Sequence, residues 1–454
     1  MGPGQNRIFS KGGEVGVRSG GKWAGAWHSL AGLASNNSRS LDPLNVLGLS
    51  FEGIDTSVVT GVTVQAWGSG TVRFELATTE RRVVWSHALE LCESMTRTSI
   101  PLDPKTLGEI KFINWVVEPD SSARIRSLGF QVEVPDISLE EWAFRISLGK
   151  LRRCHDIASG LTRDRGHLPA GEFDSIPSTG FHALASALAV MEGLLKRSEV
   201  EAEIHTTLEA IVSLPKAHGF LPHFTHRKKD GNVGIHPGTE YSTVDTAIAF
   251  HGLLLATWIL GMEAEVARTV DLIQALDFDA VIDFEGYVIH GFAEDGVTPL
   301  SSRWKDWGGE SALVLAVEGM QLNREPIARM DDSGVVFRGV GFISEMQSLF
   351  YPDFDSKEPD TFGVVWSRSR GELLERQRAY FAAHWPESAA TRLGLYGLSA
   401  GEAGLPGEGY TANGTEMVGV AVIHPHYLML SSALTNPSGY AAALEALDLA
   451  VFLK

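Results

Sequence analysis

The sequence predicts a two-part chain of β + α class: an antiparallel β-sandwich over residues 1–136, then, over 137–454, paired helices packed as a bundle or an α/α barrel. Three observations carry that reading. β-branched and apolar residues alternate in short runs before Pro135, and after it the apolar residues recur at helical spacing. The later helices are separated by long polar loops with no strand runs between them, which argues against a doubly wound sheet or a β/α barrel.

Residues 1 to about 45 are rich in Gly, Ser and Asn with scattered Trp and read as short strands and loops. Strand patterns follow at 58–67, 71–76, 82–85, 111–118 and 127–134, separated by turn residues, as in an antiparallel sandwich. Ser138, with Glu141 three positions on, is a capping-box signature and marks the change to helix. Helical spacing then covers 138–158, 177–197, 200–215, 242–261, 263–276, 309–320, 371–384, 425–434 and 437–453. No fixed-period repeat of solenoid type is present.

Composition bounds the function. At 454 residues, 44% apolar and 21% charged, the chain has length for two or three units and enough apolar surface for a sizeable core. With 38 basic and 56 acidic residues the net charge is −18, which repels phosphate polyanions and excludes nucleic acid as a partner. The segment from Met1 to Arg7 has no apolar leader, and no run reaches the ~18–20 apolar residues of a membrane span, so a cytoplasmic location without a membrane partner is expected. Cys92 and Cys154 are too few for a disulfide framework and read as free thiols. Nucleotide-binding glycine motifs and H-E-x-x-H are absent, and His424 with His426 lacks further ligands nearby, so neither cofactor nor metal is expected. Gly397-Leu398-Ser399-Ala400-Gly401 spells G-x-S-x-G, but no buried strand leads into it as a nucleophile elbow requires.

What remains is a set of carboxylates beside aromatic and basic residues, mostly at predicted helix mouths, a pattern that suits sugar chemistry. Asp164 lies between Arg163 and Arg165, whose charges favour its ionised form; it reads either as a sugar-binding or water-activating carboxylate or as part of a solvated loop. Gly219-Phe220-Leu221-Pro222-His223-Phe224 precedes Glu240-Tyr241-Ser242-Thr243-Val244-Asp245. There Ser242 or Thr243 caps a helix and Asp245 falls in its first turn, as a helix-start Asp often does. Glu240 precedes the cap, where nothing structural asks for it, and is the better candidate for a tuned acid. Trp304, Trp307, the Gly308-Gly309 step and Glu310 read as a stacking platform beside an acid, or equally as core anchors with a first-turn charge. Glu402 and Tyr410 flank a Gly-dense segment suited to close approach of a ligand.

Read in order, these clusters resemble the glucoamylase-like domain of bacterial β-1,2-glucan enzymes, the endo-β-1,2-glucanases and the transglycosylase domain of cyclic β-1,2-glucan synthases. Gly160-Leu161-Thr162-Arg163-Asp164-Arg165 resembles their G-L-x-R-[DE]-R, Ser178-Thr179-Gly180-Phe181 their x-T-G-F, and Gly219 to Phe224 their G-x-x-x-H-[FW]. Glu240-Tyr241-Ser242-Thr243-Val244-Asp245-Thr246-Ala247, with Gly252-Leu253-Leu254, resembles E-x-S-x-x-D-T-A and a following G-[LA]-L. Gly309-Glu310 stands at their [YG]-x-E, and Gly397 to Glu402 with Gly409-Tyr410 at G-L-[ST]-A-x-[DE] and a later G-Y. The series covers roughly 140–454 and implies an (α/α)6 toroid barrel and a glycoside hydrolase or transglycosylase acting on an oligosaccharide or glucan, β-1,2-linked by resemblance. The chain departs from the family at Gly308-Gly309, where an aromatic usually precedes the Glu, at Glu402, where Asp is common, and between Arg324 and Phe350. No hydrolase counterpart of the β-domain is evident.

Glycoside chemistry needs an acid to protonate the leaving oxygen and a carboxylate to activate water or attack the anomeric carbon. Glu240 is expected as the acid, Asp245 as its rival, and Asp164, Glu310 and Glu402 as candidates for the second role. Trp304, Trp307, Tyr241 and Tyr410 are expected to stack on glucose rings, while Arg163, Arg165 and His223 bind hydroxyls. Two alternatives stand beside this: an α/α-barrel sugar epimerase or isomerase, which would require His223 and His226 and spare Glu240, and a non-catalytic glycan-binding module.

Overall fold

The computed structural model describes residues 7–11, 14–18, 24–29, 59–78, 82–102, 110–132, 138–165, 173–227, 233–322, 332–333, 337–351, 354, 356–360, 362–402, 410–416, 422–435 and 442–445. The chain divides into two compact units, with the change falling between Ser138 and Leu139.

The first unit contains eight described strands, β1 (Arg7–Lys11), β2 (Glu14–Arg18), β3 (Ala24–Ser29), β4 (Val59–Thr78), β5 (Val83–Leu91), β6 (Thr96–Pro101), β7 (Ile110–Val117) and β8 (Ser122–Val132), all paired antiparallel. The sequence pattern splits β4 into two strands; the structure makes it one strand of 20 residues that serves two sheets. Its first half pairs with β6 and β8, and its second half with β5 and β7. Alternation explains the core. Val62, Val64, Ala66, Val72, Phe74 and Leu76 are all buried, packed with Ile100, Trp115, Val117, Ala123 and Ile125. Phe74 meets Trp115 edge-on at 6.5 Å, and burial of each large side chain contributes roughly 1.5–3 kcal/mol.

The second unit is helical: α1 (Leu139–Cys154), α2 (Ile176–Met191), α3 (Arg197–Ser213), α4 (Thr243–Ile259), α5 (Glu263–Gln274), α6 (Glu310–Leu322), α7 (Gly341–Met346), α8 (Trp366–His384), α9 (Ala389–Arg392) and α10 (Pro425–Thr435). Short strand pairs occupy the loops between them. The expected helix at 437–453 lies mostly outside the described residues. The short α7 and α9 carry too few apolar positions to show a period. α8 starts five residues before the expected 371, and Arg370 in the added turn is 1% exposed. Its guanidinium donates to Ser348 Oγ and the Phe354 carbonyl, both at 2.7 Å, and lies 3.3 Å from Glu345.

α4 organises this unit. Nearly all of its first three turns are buried, and it packs on α2, α5 and α6, whereas α3 packs mainly on α2, with smaller contacts to α5 and α4. Contact with α2 is backbone to backbone: a Cβ on Gly252 would lie 2.4 Å from the Gly180 carbonyl oxygen, and one on Gly180 2.6 Å from Ala249 Cα. Only glycine at both positions allows the helices to approach this closely. α2 and α4 thus form a tightly coupled pair, and the first turns of α4 and α6 carry Asp245 and Glu310.

Candidate active site

Six acidic and basic groups expected from the sequence, Asp164, Arg165, His223, Glu240, Asp245 and Glu310, come near one another in the second unit. The segments 221–223 and 240–242 run antiparallel: His223 N donates to the Glu240 carbonyl (2.9 Å), Ser242 N to the Leu221 carbonyl (3.0 Å), and Pro222 bridges Tyr241. That register sets the His223 side chain opposite Glu240, with Nδ1 2.9 Å from Oε1. This is the structural use of Glu240 that local sequence could not show. Ser242 then caps α4, its Oγ accepting from Asp245 N at 3.2 Å, and this cap holds Asp245 in the first turn. Asp245 Oδ2 lies 3.4 Å from the same His223 Nδ1, so one imidazole sits between two carboxylates.

Electrostatics divides their roles. The hydrogen bond with His223 holds Glu240 below the usual carboxylate range, burial opposing it. Burial works against a charge on His223, but Asp245, the Glu240 hydrogen bond and Asp164 outweigh it and raise the imidazole above its ordinary value. Asp245, 8% exposed, is raised by burial, with His223 and Ser242 pulling it back. Glu310 is pushed up to about 7, by burial first and then by Asp245, with His223 opposing. The cluster therefore favours the ionised form of Glu240 and the charged form of His223, while Glu310 is pushed toward keeping its proton up to about pH 7.

Asp164 and Arg165 form an ion pair at 3.0 Å, and the Arg165 guanidinium lies 5.5 Å over the Tyr410 ring. Burial raises the Tyr410 hydroxyl, as do the charges of Glu310, Asp164 and Asp245, placing this half-exposed ring among the acids. Arg163 instead bridges Asp174 through its backbone and acts electrostatically on that residue. Glu402 ends a short strand paired with 410–412; its side chain lies outside the described residues.

Two expected stacking residues belong to the core. Tyr241 is 6% exposed and Trp307 8%. Trp307 Nε1 donates to Asp360 Oδ2 at 2.7 Å, an oxygen that also accepts from Trp366 Nε1 at 2.9 Å. Asp360 Oδ1 takes the backbone N–H groups of Phe362 and Val364, both at 2.9 Å. This clamp explains the Gly308-Gly309 departure. A Cβ on Gly308 (φ +129) would lie 2.0 Å from the Trp366 ring, and Gly309 has φ +59. No side chain fits where the family carries an aromatic, and the backbone turns directly into Glu310. Trp304 remains partly exposed, with Nε1 donating to Thr243 Oγ1 at 3.0 Å and its ring stacked on His290 at 3.8 Å. His290, which has electrostatic reach to Glu240, was missed by the sequence reading: it stands outside every motif, and only strand pairing brings it in.

The expectation that no metal takes part rested on His424 and His426. Among the described residues a different group, His223, Glu240 and Asp245, presents ligand atoms within 4.8 Å of one another, a spacing compatible with a cation. A proton on His223 Nδ1 occupies the same place, since the 2.9 Å contact is itself a charge-assisted hydrogen bond.

No protein-family model matches the chain, and no curated protein matches it. Solved structures do. A β-1,2-glucanase from Parabacteroides distasonis superposes with TM-score 0.57 at 11% identity, covering 87% of this chain and 80% of its own. An endo-β-1,2-glucanase from Chitinophaga pinensis, solved with sophorotriose and glucose, gives 0.52 at 15% identity over 69% of this chain and 82% of its own. A proposed glucoamylase from Bacteroides caccae ATCC 43185 gives 0.52 at 14% identity over 69% and 84%. The chain shares their fold. The resemblance carried by the ordered motifs therefore holds at the level of architecture. The Parabacteroides match covers more of the chain than lies after Ser138. It therefore reaches into the N-terminal unit, where the sequence reading saw no hydrolase counterpart. No helix among the described residues is long and apolar enough to cross a membrane.

Proposed function

We propose that this protein is a glycoside hydrolase or transglycosylase acting on β-linked glucan or gluco-oligosaccharides, β-1,2-linked, by carboxylate acid/base catalysis at the helix mouths of an (α/α)6 toroid. The order of packing supports the toroid: α2, α4 and α6 adjoin through α4, while α3 and α5 flank them. The domain division is read as 1–136 and 137–454. One observation carries the chemistry: Glu310 keeps a proton to about pH 7 while Glu240, in the same cluster, is held ionised by His223.

That split reverses the roles expected from sequence. Glu310 becomes the general acid that protonates the leaving glycosidic oxygen, because burial and the Asp245 charge push it to about 7, a value matched to neutral pH. Glu240 and Asp245, sharing the His223 proton, supply the negative charge that faces the developing oxocarbenium ion. Asp164, held by Arg165, is the candidate base for the attacking water or acceptor sugar. Tyr410 and Trp304 supply ring faces for glucose, and Arg165 a hydroxyl donor. An epimerase based on His223 and His226 is disfavoured, since His223 is tied between two carboxylates and is raised toward its charged form.

Product analysis after incubation with β-1,2-gluco-oligosaccharides tests the reading. New chain lengths are expected; unchanged length with altered sugar identity would establish the epimerase, and binding without turnover the glycan module. Glu310→Gln should lower kcat on oligosaccharides by ~10²–10⁴-fold while retaining cleavage of an aryl glycoside, whose leaving group needs no proton. If Glu240→Gln shows that pattern and Glu310→Gln does not, the acid assignment is reversed.

A further inference from the structure

The Trp304 indole and the His290 imidazole lie face to face, ring centroids 3.8 Å apart and planes 27° apart. Each is fixed by the other's surroundings. Trp304 Nε1 donates to Thr243 Oγ1 (3.0 Å), that hydroxyl donates to the His290 carbonyl (3.0 Å), and the Thr243 backbone N–H reaches the same carbonyl at 3.0 Å. The His290 N–H in turn donates to the Ser302 carbonyl at 3.0 Å. The Arg303 backbone favours a proton on the imidazole. A neutral imidazole carries one N–H and leaves its other ring nitrogen as an acceptor. Burial lowers the His290 pKa, which favours this neutral form, and Glu240 lies within electrostatic reach. Both rings are partly exposed.

We propose that His290, clamped against Trp304 beside Glu240, is a specificity-determining residue whose free ring nitrogen accepts a hydrogen bond from one hydroxyl of the hexopyranose unit held next to Glu240. Trp304 and Thr243 act as positioning residues for the imidazole. The pairing of two acceptors, one imidazole nitrogen and one carboxylate, fits a polyhydroxylated ring that presents O–H donors on neighbouring carbons. An anionic or apolar ligand gains nothing from it. A site built to bond a hydroxyl also rejects an analogue lacking it, because the acceptor, covered by the bound ligand, is then left unpaired. The inference rests on the glycosidase reading and adds to it the residue that reads the sugar.

The test compares wild type, His290→Phe and His290→Asn on sophorotriose and on its monodeoxy analogues. Phe keeps the stack on Trp304 and removes the acceptor; Asn restores an acceptor oxygen. Phe should raise KM about tenfold with a smaller change in kcat. At one deoxygenated position wild type should discriminate against the analogue and His290→Phe should not, and Asn should recover part of the affinity. Equal KM for wild type and a folded His290→Phe, or undiminished discrimination in it, overturns the assignment while leaving the glycosidase reading intact. If His290→Phe fails to fold, His290→Ala takes its place: raised KM with lost discrimination at one position supports the assignment, and wild-type KM with wild-type discrimination overturns it. Absence of wild-type turnover on any gluco-oligosaccharide instead removes the glycosidase reading and this inference with it.

Discussion

Replacing Glu310 by Gln should make the protein more stable and less active, and the two effects should part company with pH. A Glu ordinarily titrates near 4.5, and Glu310 is raised to about 7 by burial and by Asp245. Its folded-state pKa lies above the unfolded one, so below about pH 4.5 the residue contributes nothing to pH dependence. Between 4.5 and 7 the unfolded chain ionises while the folded chain does not, and stability falls. Above 7 the penalty is complete, at up to about 3 kcal/mol. Gln is nearly isosteric and carries no charge. Urea unfolding of Glu310→Gln should therefore match wild type at pH 4.5 and exceed it by up to about 3 kcal/mol at pH 8. Over the same range the kcat/KM of wild type should fall as pH rises through about 7, since the acid must hold its proton. Asp245→Asn removes the neighbouring negative charge that helps raise Glu310, so this basic limb should move to lower pH. A Glu310→Gln stability difference that does not change between pH 4.5 and 8 would refute the reasoning, because it would mean that Glu310 is not held protonated by its surroundings.

Other consequences are as direct. Gly308→Ala sets a Cβ 2.0 Å from the Trp366 ring at a backbone angle suited to glycine. A cost of at least ~1–3 kcal/mol is expected, read as a lower unfolding midpoint together with loss of kcat, because the step carries Glu310. His251 is buried with Nε2 3.0 Å from the Leu313 carbonyl and Nδ1 2.9 Å from the Tyr351 hydroxyl, and burial lowers it to about 4. Its contribution of about 3 kcal/mol is complete above pH 6.5 and is lost as pH falls toward 4, so the stability of His251→Asn should depend less on pH across that interval than that of wild type. EDTA should leave turnover unchanged, since a proton on His223 holds Glu240 and Asp245 together; loss of activity that zinc or calcium restores would instead make that cluster a metal site.

The helical unit and the sites on it were legible wherever a local rule applied. Ser242 caps and Asp245 follows because capping is a matter of adjacent residues. The central helix α4 showed its apolar run for the same reason. Roles that depend on partners far along the chain were not legible. Trp307 read equally as a sugar platform or a core anchor, because an indole has the same sequence signature whether its N–H meets solvent or, as here, Asp360. The first turn of α8 gave no local signal, because the residues that bury the Arg370 charge, Glu345, Ser348 and the Phe354 carbonyl, come from other elements.

By itself the sequence determined the change from strand to helix at Ser138, the glycines that let α2 and α4 touch, and which acids were available at helix mouths, since all of these follow from periodicity, capping and side-chain size. Tertiary structure alone decided which acid holds the proton. Placing His223 against Glu240 and Asp245 ionises one carboxylate, and enclosing Glu310 beside Asp245 keeps another neutral. A pKa is set by burial and by the charges that happen to be near, and neither can be read from a residue's place in the chain.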